Sequence, residues 1–265
     1  MTATLTTGVL LTKFSANLGF LWADLPLPDA IRAARNAGFD AVECHWPYET
    51  DPKLVNAALA ETGLQMLGLN TTRGDPLNGE NGLSALPNCQ SEARAAIDQA
   101  IAYATAICCA NIHVMAGFTK GSKAHETFVE NLSYACSCAA KHNITILIEP
   151  LNSYDAPGYF LQTTDQAVQI ITQVNAPNLK LMFDCYHVQL MEGDLTRRLT
   201  ALSPHIGHIQ FAGVPSRGQP DMGEVNYAHI FEHLKAQGYT APLGAEYKPG
   251  RETGETLGWM KALVS

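Results

Sequence analysis

The sequence contains no apolar run approaching the roughly 20 residues that a membrane-crossing helix needs, so a membrane partner is not expected. It is also short of positive charge: 17 Lys and Arg stand against 25 Asp and Glu, a net charge of −8. Such a balance leaves no basic stripe to follow a phosphate backbone, and nucleic acid is not an expected partner either. Two nucleotide-binding signatures are missing, because no GxGxxG follows the first strand-like run and no GxxxxGK[ST] occurs anywhere. The opening "MTATLTTGVLLTKF" lacks a basic region and a proper hydrophobic stretch. It reads as a short tail over residues 1–12 rather than a signal peptide. The seven cysteines are an odd number without zinc spacing: Cys108 and Cys109, like Cys136 and Cys138, fall in helical runs with no His or Cys companion. They read as reduced, small, buried hydrophobes of a cytoplasmic protein.

What the sequence does have is alternation. Strand-like runs occur at "KFSANLG", "FDAVECHW", "LQMLGLNT", "NIHVMAG", "ITILIEP", "LKLMFDCYH", "IGHIQFAG" and "PLGAEYKP". Helical spacing fills the intervals. "LPDAIRAARNAG" begins after prolines and stops on Gly38, and "DPKLVNAALAETG" has an Asp–Pro start and a Gly63 stop. "SEARAAIDQAIAYATAI", with Ser91 as its N-cap, and "HETFVENLSYACSCAAKHN" follow. "TTDQAVQIITQVN", "GDLTRRLTALS", "NYAHIFEHLKAQG" and "TGETLGWMKAL" complete the set. Eight strand–helix alternations without a linker predict parallel strands with helical crossovers. Eight units over 265 residues suit a closed α/β barrel, which commonly runs to about 250 residues as one unit. The expected architecture is a (β/α)8 TIM barrel forming one domain over residues 13–265.

In such barrels the chemistry sits at the C-terminal ends of the strands. The fifth strand ends at Glu149, the sixth at Asp184, the seventh at Gln210 and the eighth at Glu246. Strand alternation puts Gln210 on one face with His208, while Ile209 and Phe211 point to the helices. A single acid at a strand end is more often a helix cap or a surface charge. Four oxygen-bearing side chains on neighbouring strands are much harder to place by accident. Three carboxylates at one level repel strongly without a cation. Oxygen donors without cysteine suit a hard divalent metal, Mg²⁺ or Mn²⁺. His187, three residues after Asp184, is within reach of a substrate oxygen.

The stretches "FSANLGFLW", "AGFDAVE", "GENGLSALP", "IEPLN", "FDCYHVQLMEGDLT", "GHIQFAGVPSRGQPDMGEVNY" and "GAEYKP" resemble the hydroxypyruvate isomerase family. That family lies among the xylose-isomerase-like barrels and includes the 2-oxo-tetronate isomerases. The similarity runs from about Phe14 to Leu263. It implies metal ligation by Glu149, Asp184, Gln210 and Glu246, the four that strand position selects, and acid–base duty for Glu149 and Glu246. The implied reaction is an aldose–ketose type isomerisation through a cis-enediolate. It would take hydroxypyruvate to tartronate semialdehyde, or a 2-oxo-tetronate to a 3-oxo-tetronate. "LSALP" and "HVMAG" are nearer the 2-oxo-tetronate branch, "LIEPLNSYDAPGYFL" and "MEGDLT" nearer the hydroxypyruvate branch.

An oxo-acid substrate brings its own carboxylate to an acidic site and needs a cationic partner. The candidates are Arg217, in a loop expected to overhang the barrel mouth, and Lys248, two residues past Glu246. His187 is placed to bond a substrate hydroxyl. The expected partner is therefore a small oxo acid, with room for a homo-oligomer. Three rivals share the barrel. A ketose 3-epimerase should carry His in place of Gln210. An abasic-site endonuclease holding three zinc ions should show a richer histidine set and a basic surface. A non-catalytic binding barrel should have lost part of the metal cluster.

Overall fold

Each expected strand-like run becomes a parallel strand. In the computed structural model, which describes residues 12–263, the first two are β1 (Phe14–Asn17) and β2 (Ala41–Glu43). The third run is interrupted at Leu67 into β3 (Gln65–Met66) and β4 (Gly68–Asn70). The others are β5 (Asn111–His113), β6 (Thr145–Ile148), β7 (Leu179–Asp184), β8 (Ile206–Phe211) and β9 (Leu243–Ala245). The sheet order is β3-β2-β1-β9-β8-β7-β6-β5-β4. Its two ends are the halves of one interrupted strand, and both bond to β2: Leu67 N–H donates to the Val42 carbonyl at 2.7 Å and Cys44 N–H to the Gly68 carbonyl at 3.0 Å. The sheet therefore closes on itself as an α/β TIM barrel, with no exposed edge to protect. The tail expected over residues 1–12 lies, except for Thr12, outside the described residues.

The crossovers are α1 (Leu27–Asn36), α2 (Pro52–Thr62), α3 (Gln90–Ala106), α4 (Ser122–Ala140), α5 (Thr164–Val174), α6 (Cys185–Met191), α7 (Leu195–Leu202), α8 (Tyr227–Ala236) and α9 (Trp259–Ala262). Local chemistry sets their ends. The Asp51 carboxylate accepts from Lys53 N–H at 2.9 Å ahead of Pro52, and Gly63 terminates α2 in the left-handed conformation at φ 69°. Two sequence expectations are corrected here. Ser91 is not the N-cap of α3. The turn closed by Cys89 N–H to the Leu86 carbonyl starts the helix two residues earlier, and the Cys89 carbonyl already accepts the first helical bond, from Ala93. β7 ends at Asp184, as expected, and the Asp184 side chain also caps α6 by accepting from Tyr186 N–H at 2.8 Å. The last expected helix is two short pieces, a 3-10 turn at Thr253–Thr256 and then α9.

The apolar layer lies between strands and helices. Phe14 of β1 and Phe211 of β8 meet Phe231 and Trp259 with ring centroids 4.9–5.9 Å apart, an edge-to-face cluster that fastens the first strand to the last helices. Phe211 and Ile209 thus face outward, as strand alternation predicts. The opposite face of β8 turns His208 and Gln210 into the barrel.

Candidate active site

Three adjacent strands place their residues at one level. Asp184 of β7 pairs in register with Gln210 of β8, and Gln210 with Gly244 of β9. Glu246 lies two residues beyond Gly244 on the same face, and Glu149 follows directly on the end of β6. All four selected side chains are buried. The strand ends thus bring together Glu149, Asp184, Gln210 and Glu246, with His187 from the first turn of α6 beside them.

Their polar atoms are unevenly partnered. Glu149 Oε1, Asp184 Oδ2, Gln210 Oε1 and His187 Nε2 are buried and have no hydrogen-bond partner. Orphaned polar atoms at this density are costly unless a ligand completes them. Glu149, Asp184 and His187 each offer one atom within 4.8 Å of the others, the one such His/Cys/Asp/Glu group among the described residues; its two carboxylates are the part able to face a cation. Burial, then the charges of Glu246 and Asp184, pushes the Glu149 carboxyl well above its usual range. Burial and Glu246 push Asp184 up to about 7.

Glu246 behaves oppositely. Its Oε1 accepts from Asn17 Nδ2 and from His45 Nε2, each at 2.9 Å, and its Oε2 accepts from Arg217 Nη2 at 2.6 Å. Burial alone would raise this carboxyl, but Arg217 and the His45 bond together hold it at about 2. Two glutamates of one site are thereby driven in opposite directions, the pattern that separates proton donors from acceptors.

His187 has a fixed tautomer. Its Nδ1 accepts from Asn152 N–H at 2.9 Å, with the Asn152 amide nitrogen also 2.7 Å away. The proton of the neutral ring therefore sits on Nε2, 3.6 Å from Asp184 Oδ2 and 3.9 Å from Glu149 Oε1. Burial, then Arg217, keeps the ring neutral by lowering its pKa to about 3. A protonated Nε2 donates; it has no lone pair for a metal.

Arg217 does not overhang the mouth in solvent. Its backbone is left-handed, at φ 55°, and the side chain turns inward to 13% exposure. The guanidinium lies between the rings of Phe20 and Tyr186, with its central carbon 4.9 and 5.1 Å from their centroids. Nη2 also lies 3.8 Å from Asp184 Oδ2. Lys248 is exposed, and its backbone N–H donates to the Arg217 carbonyl at 2.7 Å.

Sequence reasoning missed several polar neighbours: Asn17, Glu43, His45 and His113. His113 Nδ1 is 3.5 Å from Glu149 Oε2, and Glu43 Oε2 lies 2.8 Å from His208 Nε2. The signal was available. In "AVECH" Glu43 and His45 alternate with Val42 and Cys44, a polar face at the C-terminal end of the second strand. Histidines at strand ends are thus more numerous than the sequence reading allowed, yet each of the three on or beside β2, β5 and β8 stands against a glutamate.

Comparison with known proteins agrees with the architecture. A family model described as a xylose isomerase-like TIM barrel matches residues 31–263. The chain is 42% identical over 253 residues to the 2-oxo-tetronate isomerase of Cupriavidus necator, covering 94% of this chain and 97% of the relative. It is 38% identical over 252 residues to the hydroxypyruvate isomerase of Escherichia coli, covering 94% and 98%. A solved structure from Brucella melitensis, described as an AP endonuclease, family 2, superposes with a TM-score of 0.92 at 37% identity, covering 96% of this chain and all of that one.

Proposed function

The chain belongs to the hydroxypyruvate isomerase family of xylose isomerase-like TIM barrels and is an isomerase; we propose that it is a metal-dependent one acting on a small hydroxy-oxo acid. The substrate would be hydroxypyruvate or a 2-oxo-tetronate. The observation that carries this reading is the set of buried, unpartnered oxygens of Glu149, Asp184 and Gln210 at the ends of neighbouring strands, with Glu246 on the next. That donor set fits a hard divalent ion, Mg²⁺ or Mn²⁺. Glu149, Asp184, Gln210 and Glu246 would hold it. The His187 tautomer argues against a fifth ligand there. When bound, such an ion polarises a carbonyl oxygen and offsets the repulsion among the carboxylates.

The chain's own groups account for the remaining steps. With a cation offsetting the neighbouring charges that raise its carboxyl, Glu149 would be ionised and would take the carbon-bound proton. Glu246, held by three donors, is ionised at rest; once Arg217 yields its contact it takes the substrate hydroxyl proton and passes it to the neighbouring carbon, while the proton on Glu149 goes to the former carbonyl oxygen. His187 Nε2–H donates to a substrate oxygen, where negative charge grows in an enediolate. Arg217, between two aromatic rings, supplies the fixed positive charge that a substrate carboxylate requires. Lys248 offers a second cation nearer solvent. The buried setting of these acids limits water at the proton transfers.

A 3-epimerase reading is disfavoured by Gln210 standing where His is expected. The endonuclease reading needs several metals, whereas one metal-competent His/Cys/Asp/Glu cluster occurs among the described residues. The test is a substrate panel on metal-depleted and metal-restored protein, with hydroxypyruvate, 2-oxo-tetronates, ketohexoses and abasic DNA. Isomerisation of an oxo acid, lost on chelation and restored by Mg²⁺ or Mn²⁺, is expected. Full activity in metal-free protein, or preferential turnover of ketohexose or DNA, overturns the reading.

A further inference from the structure

Glu43 is a buried carboxylate that the proposed chemistry does not use. It stands at the end of β2, across the barrel from β8. Two donors converge on its Oε2: His208 Nε2 at 2.8 Å and Gln210 Nε2 at 3.2 Å. The room for this trio is made by Gly244. A Cβ there would lie 2.2 Å from Glu43 Oε1, 2.8 Å from Gln210 Cγ and 2.9 Å from His208 Nε2.

A glutamine amide has a donating end and an accepting end of nearly equal size, and only the accepting end can serve a cation. Nothing in the Gln210 side chain itself chooses between the two orientations. Glu43 does, because a carboxylate oxygen already receiving the His208 bond attracts the NH₂ end and repels the oxygen end. Gln210 Oε1 is then left facing the site, buried and unpartnered. We infer that Glu43, held by His208, is a positioning residue that fixes the Gln210 amide with its oxygen toward the metal position. This rests on the proposed role of Gln210 as a ligand.

A glutamate at position 210 would present oxygen in either orientation and would need no such help. That difference supplies the test, a double-mutant cycle read as Mn²⁺ affinity by titration calorimetry, with no substrate present. In the wild-type background, Glu43→Ala should weaken Mn²⁺ binding about 10- to 100-fold, the usual effect of removing a group that orients a ligand. In the Gln210→Glu background, the same Glu43→Ala change should cost less than about threefold. Glu43→Gln, which retains one acceptor oxygen, should recover most of the affinity lost in Glu43→Ala. If the alanine variant does not fold, Glu43→Met, of similar length and without an acceptor, takes its place in the cycle. Equal losses in both backgrounds, or no loss in either, overturn the inference while leaving the metal reading intact. Wild-type protein that binds no Mn²⁺ overturns both.

Discussion

Arg217 Nη2 lies 2.6 Å from Glu246 Oε2, so the most acidic carboxylate of the site is in contact with a cation belonging to the chain itself. This pairing changes the charge count at the barrel mouth. Glu149, Asp184 and Glu246 with a divalent ion would sum to −1, a charge that Arg217 offsets, while Glu43 behind Gln210 is paired with His208. The same guanidinium is thus asked to steady Glu246 and to receive the substrate carboxylate.

Arg217→Met should therefore act on both kinetic constants. A role limited to substrate binding would raise KM alone by about 10²-fold for a lost charged hydrogen bond. The contact with Glu246 adds a fall in kcat, because the glutamate loses the charge that holds its carboxyl at about 2. Steady-state kinetics with an oxo acid checks this, and an unchanged kcat would remove Arg217 from the control of Glu246.

Glu149→Gln and Glu246→Gln should each lower kcat by at least about 10²-fold, the lower end for general acid–base catalysis. Each retains an oxygen donor, so bound metal measured by elemental analysis should persist. Near-normal turnover in either variant, with metal present, excludes that residue as a proton carrier.

The outline of the barrel and the four strand-end donors were legible because each depends on local pattern. Each strand sets its acid or amide among apolar residues at its C-terminal end, and strand alternation assigns the face. The break at Leu67 left no such mark, since "LQMLGLN" reads equally well as one strand. Asp184 was legible as a strand end but not as the cap of α6, since one residue performs both tasks with no turn between. Arg217 was misplaced because its inward direction depends on a left-handed backbone in a non-glycine residue, which propensity disfavours. Glu43 and Asn17 were missed for a further reason: their partners, Gln210 and Glu246, are far away in sequence and meet them only across the barrel.

His187→Phe should lower kcat/KM by about 10-fold, the loss of one hydrogen bond of roughly 1.4 kcal/mol. Because the ring is held neutral down to about 3, its removal should leave the shape of the pH–rate profile between pH 5 and 8 unchanged. A limb of that profile that disappears in the variant would show that His187 titrates during catalysis.

Gly244→Ala should destabilise the fold by about 1–3 kcal/mol, as overpacking of a filled interior does. The added methyl has no space beside Glu43 and Gln210. Urea unfolding measures this, and an unchanged midpoint would mean that β9 moves aside freely.

Thiol labelling of the native protein should mark Cys108 first. It is the exposed cysteine, whereas Cys44, Cys109, Cys136 and Cys185 are buried and burial raises each of their pKa values, to about 12 for Cys109 and Cys136. Mass mapping after brief exposure checks the order, and early modification of Cys44 or Cys185 would contradict the packing around them.

The bond from Asn17 Nδ2 to Glu246 Oε1 joins residues 229 apart, across the pairing of β1 with β9. Contacts of such separation carry the largest loop-closure cost. That bond and the one from His45, beside β2, both cross this seam, so a chain still open between β1 and β9 holds Glu246 by Arg217 alone of its three donors. During refolding, catalytic activity should accordingly return no earlier than the last strand docks, and its recovery curve serves as a clock for barrel closure.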